Sequence, residues 1–185
     1  ISPLEFAKFY SIFPNGGEIV EPSLIKRIIN YKNLEAVFEP ERLVVTQPEQ
    51  AYIMTDMLRT VVDRGTGQNA RINGVQVAGK TGTTNNNIDA WFCGFTPEVE
   101  VVVWYGNDDN TPMRKVEGGG RTAAPVFKKF MESYMKEYPP KLKTFVEPEG
   151  VFHTAHEGVS EIYTKISPVP KQDAQDTLIK QDDEG

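Results

Sequence analysis

The ten residues Val75-Gln76-Val77-Ala78-Gly79-Lys80-Thr81-Gly82-Thr83-Thr84 constrain this chain more than any other stretch. Val75, Val77 and Gly79 alternate with Gln76, Ala78 and Lys80 at the period of two that a β-strand requires. This fixes Lys80 on one face and sets Thr81 and Thr83 on the other. A cation on one side, two hydroxyls on the other and a glycine that leaves the backbone open between them form a wall suited to an anionic, peptide-like ligand. Residues 74–81 also satisfy G-x-x-x-x-G-K-[ST], the phosphate-cradling P-loop, and Val101-Val102-Val103-Trp104 ahead of Asp108 imitates the acidic strand that accompanies it. A P-loop must, however, leave an apolar strand before its first glycine and open a helix at its lysine. Ala70-Arg71-Ile72-Asn73 is a poor strand and Gly82-Thr83-Thr84-Asn85-Asn86-Asn87 opposes a helix. A strand through Lys80 is therefore expected, with a nucleotide-binding protein as the alternative.

Around this strand the pattern predicts an α+β arrangement, an antiparallel sheet flanked by helices. Ser2-Pro3-Leu4-Glu5 is a capping box with proline at the first helical position, followed at helical spacing by Leu4, Ala7, Tyr10 and Ser11 and stopped by Asn15-Gly16-Gly17. Residues 24–29 and 34–38, joined by Tyr31-Lys32-Asn33, read as a small hairpin beside the main sheet. Thr46-Gln47-Pro48-Glu49 reads as a second capping box. It opens a helix whose apolar face would be Ile53, Met54, Met57, Leu58, Val61 and Val62, the methionines filling core. Residues 88–95 and 99–105, with only Thr96-Pro97-Glu98 between them, should be the next two strands after Lys80. A helix over 122–138 should lay Phe127, Phe130, Met131, Tyr134, Met135 and Tyr138 on the sheet, and Pro139-Pro140 ends it. Domain organisation is expected to be 1–140 as the folded part, 141–170 as an irregular extension and 171–185 as an acidic, disordered tail. The tail carries five acids and two lysines.

Composition excludes several functions. A net charge of −6 with no basic stripe argues against nucleic acid as a partner. The longest apolar run, residues 101–105, is far short of the roughly 20 residues of a membrane-spanning helix. The single Cys93 lies within an apolar strand pattern and reads as a buried, inert thiol. His153 and His156 stand three apart without a third ligand in a clear pattern, so no metal and no cofactor is expected.

Lys80-Thr81-Gly82 is also one of three motifs shared by penicillin-binding proteins and serine β-lactamases. Three letters alone are weak, but residues 80–95, Lys-Thr-Gly-Thr-Thr-Asn-Asn-Asn-Ile-Asp-Ala-Trp-Phe-Cys-Gly-Phe, closely resemble the corresponding run of class A (bifunctional) penicillin-binding proteins. So do Arg64-Gly65-Thr66-Gly67, Gly106-Asn107-Asp108-Asp109 and Gly119-Gly120-Arg121-Thr122-Ala123-Ala124-Pro125, and the resemblance covers roughly residues 1–131. Ile88 departs from it, standing where the family usually has a basic residue. A serine β-lactamase fragment fits less well, because neither the Thr83-Thr84-Asn85 continuation nor the Gly-Arg-Thr-Ala-Ala-Pro segment resembles those enzymes.

The resemblance implies a penicillin-binding, serine β-lactamase-like fold and a D,D-transpeptidase that cross-links peptidoglycan stem peptides through an acyl-serine and is acylated by β-lactams. It implies Lys80 and Thr83 as catalytic residues and Thr81, Gly82, Thr83 and Thr84 as the substrate-binding wall. The Thr83 N–H would serve in the oxyanion hole, the Thr81 and Thr83 hydroxyls would hold a terminal carboxylate, and Lys80 would supply positive potential and a proton relay. The family's nucleophile belongs to Ser-x-x-Lys and its second motif is Ser-x-Asn. No Ser-x-Asn occurs in the chain. Ser23-Leu24-Ile25-Lys26 follows a proline into a strand-like run, and Ser133-Tyr134-Met135-Lys136 lies in mid-helix after Lys80, so both matches read as accidental. The expectation is thus the C-terminal portion of a transpeptidase domain, partnered by the upstream segment that carries the nucleophile. Its parent protein would hold it by an anchor on the extracytoplasmic face of the bacterial inner membrane.

Overall fold

The computed structural model describes residues 1–156 and 159–169, and the expected acidic tail at 171–185 lies outside the described residues. The chain divides into two units, Ile1–Glu149 and Gly150–Gly185. In the first, the organising element is the antiparallel sheet made by β5 (Ala78–Thr83), β6 (Asp89–Phe95) and β7 (Glu100–Gly106), in that order. The register pairs Lys80 with Cys93 and Cys93 with Val102, Thr81 with Phe92 and Phe92 with Val103. Because side chains alternate, the sheet has a Lys80–Cys93–Val102 face and a Thr81–Phe92–Val103 face.

The second face is covered by α3 (Ala124–Glu137), which buries Ala124, Phe127 and Met131. Phe127 meets Phe92 edge-on with ring centroids 5.0 Å apart, and both are 0 % exposed. The opposite face carries α1 (Pro3–Tyr10). Its capping box forms as expected: the Glu5 N–H donates to Ser2 Oγ at 3.3 Å and the Ser2 N–H to Glu5 Oε2 at 2.7 Å. Phe6 packs on Trp91 at 5.0 Å, and Tyr10 continues through Phe13 to Phe95. α2 (Pro48–Arg64) lies against β5 and delivers Leu58 to one core cluster and Val62 to the other.

Short antiparallel pairs complete the first unit: β1 (Glu18–Val20) with β4 (Arg42–Val44), and β2 (Arg27–Ile29) with β3 (Glu35–Val37), the hairpin expected over 24–38. Residues 141–149 also belong to this unit. The Gln76 N–H donates to the Lys143 carbonyl, the Phe145 N–H to Gln76 Oε1, both at 2.8 Å, and the Phe145 ring meets Phe95 at 5.6 Å. In the second unit, β8 (Phe152–His156) and β9 (Val159–Tyr163) form a hairpin with Phe152 against Tyr163. An irregular chain was expected there. The period-two cue in Phe152-His153-Thr154-Ala155-His156 was masked by its polar alternates.

Four expectations are corrected. The strand begins at Ala78 and not at Val75, because Gln76 is turned toward residues 143–145, Val75 makes only an isolated bridge to Ile72, and Gly74 reverses the chain at φ 76°. The helix at 48 has no second capping box. Its N-cap is Gln47, extended as a residue before proline must be, and the Gln47 side chain makes no cap hydrogen bond. The buried face of α2 is Ala51, Thr55, Leu58 and Val62, while Met54 and Met57 are exposed. On α3, Phe130 and Tyr138 are likewise exposed and stack with Tyr134 along the outer flank, and on α1 Leu4 faces outward.

Candidate active site

β5 is the edge strand, and its ladder decides what that edge offers. The Thr84 N–H donates to the Asp89 carbonyl at 3.0 Å, which makes residues 84 and 89 a hydrogen-bonded pair. Bonded and non-bonded pairs alternate in an antiparallel ladder, so Gly82 and Lys80 bond inward to Trp91 and Cys93. The N–H and C=O groups of Thr83 and Thr81 turn outward to the open edge. The Lys80 ammonium reports the same geometry by donating to the outward Thr81 carbonyl at 2.7 Å. Lys80 thus lies on a strand that runs through it, and no helix opens at the lysine, which removes the P-loop alternative.

The edge separates two hollows. On the Lys80 side a space of about 420 Å³ is lined by Lys80, Thr81, Gly82, Thr83 and Thr84 and walled by Phe6, Tyr10, Trp91 and Cys93. On the threonine side a space of about 700 Å³ is lined by Thr81 and Thr83, Thr66, Gln68 and Asn69, and the loop from Lys115 to Arg121. The five residues expected to form the site are therefore contiguous on one edge. The structure adds residues that sequence reasoning missed. Thr66 Oγ1 lies 2.7 Å from Thr81 Oγ1, the Gly119 N–H donates to Thr83 Oγ1 at 3.2 Å, and Asn69 Nδ2 holds the Gly120 carbonyl at 2.8 Å. Their signal was present in the Arg-Gly-Thr-Gly and Gly-Gly-Arg-Thr-Ala-Ala-Pro segments, but a contact across 36 residues is invisible to local periodicity. Gly119 must be glycine, because a Cβ there would stand 2.5 Å from the Trp91 carbonyl and 2.6 Å from that of Gly82.

Thr84 closes the turn after β5. Its hydroxyl accepts the Asp89 N–H at 2.8 Å and donates to Asp89 Oδ2 at 3.2 Å, and Trp104 Nε1 donates to the other oxygen at 2.8 Å. Behind Lys80 the face is apolar. Burial pushes the Cys93 thiol up to about 12, with the Glu100 charge adding to it, so the thiol is protonated and inert at neutral pH. Neither Ser-x-x-Lys serine lines either hollow. Ser23 is exposed and donates to the Ile25 carbonyl at 3.0 Å, and Ser133 is exposed on α3, on the other side of the sheet. Among the described residues no three His, Cys, Asp or Glu side chains gather where a metal ion could be held, and no helix is long and apolar enough to cross a membrane.

The penicillin binding protein transpeptidase domain profile matches residues 1–132. The chain belongs to the penicillin-binding protein transpeptidase family. Among relatives of this family, penicillin-binding protein 1A of Neisseria meningitidis is 40% identical over 159 residues, 81% of this chain and 19% of that protein. The Aquifex aeolicus penicillin-binding protein 1A is 37% identical over 141 residues, again 19% of its length. The chain thus spans about a fifth of the length of the curated relatives it matches. Among solved structures, penicillin-binding protein 1A of Haemophilus influenzae shares the fold, with a TM-score of 0.77 at 21% identity over 92% of this chain and 33% of that one. The imipenem acyl-enzyme complex of M. tuberculosis penicillin-binding protein A gives 0.61 at 26% identity, over 72% and 31% respectively. The α+β arrangement is that of these transpeptidase domains.

Proposed function

We propose that this transpeptidase-family chain forms the Lys-Thr-Gly wall of a peptidoglycan D,D-transpeptidase whose serine is acylated by stem peptides and by β-lactams. The observation that carries this reading is the open β5 edge, where the Thr83 N–H turns outward on the same side as the Thr81 carbonyl that takes the Lys80 ammonium. A stem peptide ending in D-Ala-D-Ala would lie antiparallel along that edge and take its register from the N–H and C=O groups of Thr81 and Thr83. The serine Oγ attacks the carbonyl of the penultimate D-Ala, an ester C–O bond forms, the C–N bond breaks, and the terminal D-Ala leaves with the proton. The amine of a second stem then attacks the ester, forming the cross-link and returning the serine O–H. The charge that develops on the carbonyl oxygen in each tetrahedral step is received by the Thr83 N–H with the serine's own N–H. One such donor is typically worth about a hundred- to a thousand-fold in rate. Lys80 adds positive potential and relays the proton, while Gly82 and Thr84 keep the strand and its turn in place.

The nucleophile is assigned to an upstream segment of the same domain. Free edges and apolar faces fit such a partner: among the described residues β7 is unpaired on its outer side, and Leu4, Phe9, Met54 and Met57 are exposed. Peptidoglycan as substrate places the reaction on the extracytoplasmic face of the inner membrane, with the anchor in the parent protein. The decisive experiment is mass spectrometry after incubation with penicillin. The chain of 185 residues alone should remain unmodified, and the parent protein should gain one adduct on an upstream serine. In the parent, Lys80→Ala should slow acylation by about a hundred-fold or more. An adduct on Ser23 or Ser133 would overturn the assignment.

A further inference from the structure

The cleft on the threonine side of β5 is lined largely by hydrogen-bond donors, and its charged wall lies outside the Lys-Thr-Gly motif. Its donors can be counted. A threonine hydroxyl has one proton to give and two lone pairs to receive. Thr83 Oγ1 spends a lone pair on the Gly119 N–H and keeps its proton free to donate. In the Thr66–Thr81 pair one hydroxyl proton bridges the 2.7 Å contact and the other is left over. The acceptors, by contrast, are used. Glu117, the acid lining this cleft, takes Arg114 Nη2 at 2.7 Å, Arg114 Nε at 3.1 Å and the Arg114 backbone N–H at 3.0 Å. Lys115 and Arg121 line the same cleft and are exposed, and among the described residues their side-chain cations have no hydrogen-bond or ion-pair partner. Two free cations, two spare hydroxyl protons and an acid already neutralised leave a surface that lacks one thing, a negative charge.

We propose that Lys115 and Arg121 are specificity-determining residues for a free carboxylate on the peptide that lies along β5. They supply the charge, and the Thr83 hydroxyl with the Thr66–Thr81 pair supplies the directed hydrogen bonds. This rests on the transpeptidase reading above and extends it. Gly119 ties the two parts together, since its N–H holds Thr83 while the residue two positions on is Arg121. Arg121 is therefore carried on a segment bonded to the strand that binds the peptide. The guanidinium adds a planar fork that matches a carboxylate, and the ammonium adds a point charge.

The test uses the parent protein and two thioester donors that differ only at the terminus, one with a free carboxylate and one with its methyl ester. The double variant Lys115→Gln and Arg121→Gln should lose about ten-fold or more in kcat/KM on the carboxylate donor, mainly through KM, and keep its rate on the methyl ester. Raising ionic strength should lower the wild-type preference for the carboxylate and leave the variant indifferent. An equal loss on both donors would make the loop merely structural and overturn the proposal, as would a carboxylate preference that survives in the variant. If the wild-type parent is acylated by penicillin and the variant keeps its preference, only the carboxylate subsite fails. If the wild-type parent is not acylated at all, the transpeptidase reading fails with it.

Discussion

Glu100 opens β7 with its side chain on the Lys80 face, and its Oε1 is buried without a hydrogen-bond partner. Burial raises its carboxyl from the ordinary 4.5 to about 8, and the titratable groups that face it, Tyr10 on α1 and Cys93 on β6, are themselves neutral across that range. The sign follows. A carboxyl whose folded value lies above its unfolded value binds its proton more tightly when folded, so stability is full below about pH 4.5 and falls as pH rises toward 8. At 1.36 kcal/mol per pH unit the ceiling is roughly 5 kcal/mol, and partial exposure with solvent screening brings the working figure to about 2 kcal/mol. Glu100→Gln removes the charge and keeps the shape. It should leave the melting temperature unchanged at pH 5 and raise it by about 4–8 °C at pH 8.5, at the roughly 2–4 °C per kcal/mol expected for a chain of this size. Thermal unfolding followed by circular dichroism at several pH values on both proteins reads this directly. A gain that is the same at every pH, or a loss at pH 8.5, would refute the claim that an ionised, unpartnered Glu100 is what costs stability.

Phe127→Ala removes a fully buried ring from between α3 and Phe92 and should cost about 3–5 kcal/mol in denaturant unfolding, through lost burial and the cavity left against Phe92. Gly119→Ala forces a Cβ to 2.5 Å from the Trp91 carbonyl. It should slow penicillin acylation of the parent protein several-fold through displacement of β5, while an alanine at Gly74 beside open space, where only the positive φ resists, should leave acylation unaltered.

The sheet was legible because each of its strands is self-reporting. Val101, Val103 and Tyr105 repeat at period two, Thr96-Pro97-Glu98 leaves room for a tight connection only, and β6 and β7 fall within one residue of where the pattern puts them, while β5 begins three residues later than its pattern, at Ala78. Helix positions were equally legible and their buried faces were not. Periodicity marks which residues are apolar, whereas burial needs an opposing element, and with β5 against α2 the residues buried are Ala51, Thr55, Leu58 and Val62. The same holds for Phe130 and Tyr138, each of which packs on the ring of Tyr134 in place of the sheet. Of the site, the contiguous run at 80–84 could be read directly. The partners of its hydroxyls, Thr66 and Gly119, arrive from 15 and 36 residues away and could be located only through the fold.

That division bears on where the chemistry of this wall is encoded. The eight letters of residues 74–81 fit a phosphate loop as well as a strand, and what separates the two is the direction of the backbone after Lys80. In the reaction proposed above, the donor assigned to the oxyanion is a main-chain group, the Thr83 N–H, and the threonine side chain does not aim it. Its direction is set by the ladder to β6, fixed in phase by the Thr84–Asp89 bond, and by the close approach of Gly119 to Gly82 and Trp91. A substitution of Thr83 that preserves the strand should therefore keep the oxyanion donor and lose only the hydroxyl. A substitution at Gly119, remote in sequence and devoid of any functional group, should disturb both. The side chains of the motif announce the site, and the register of the sheet builds it.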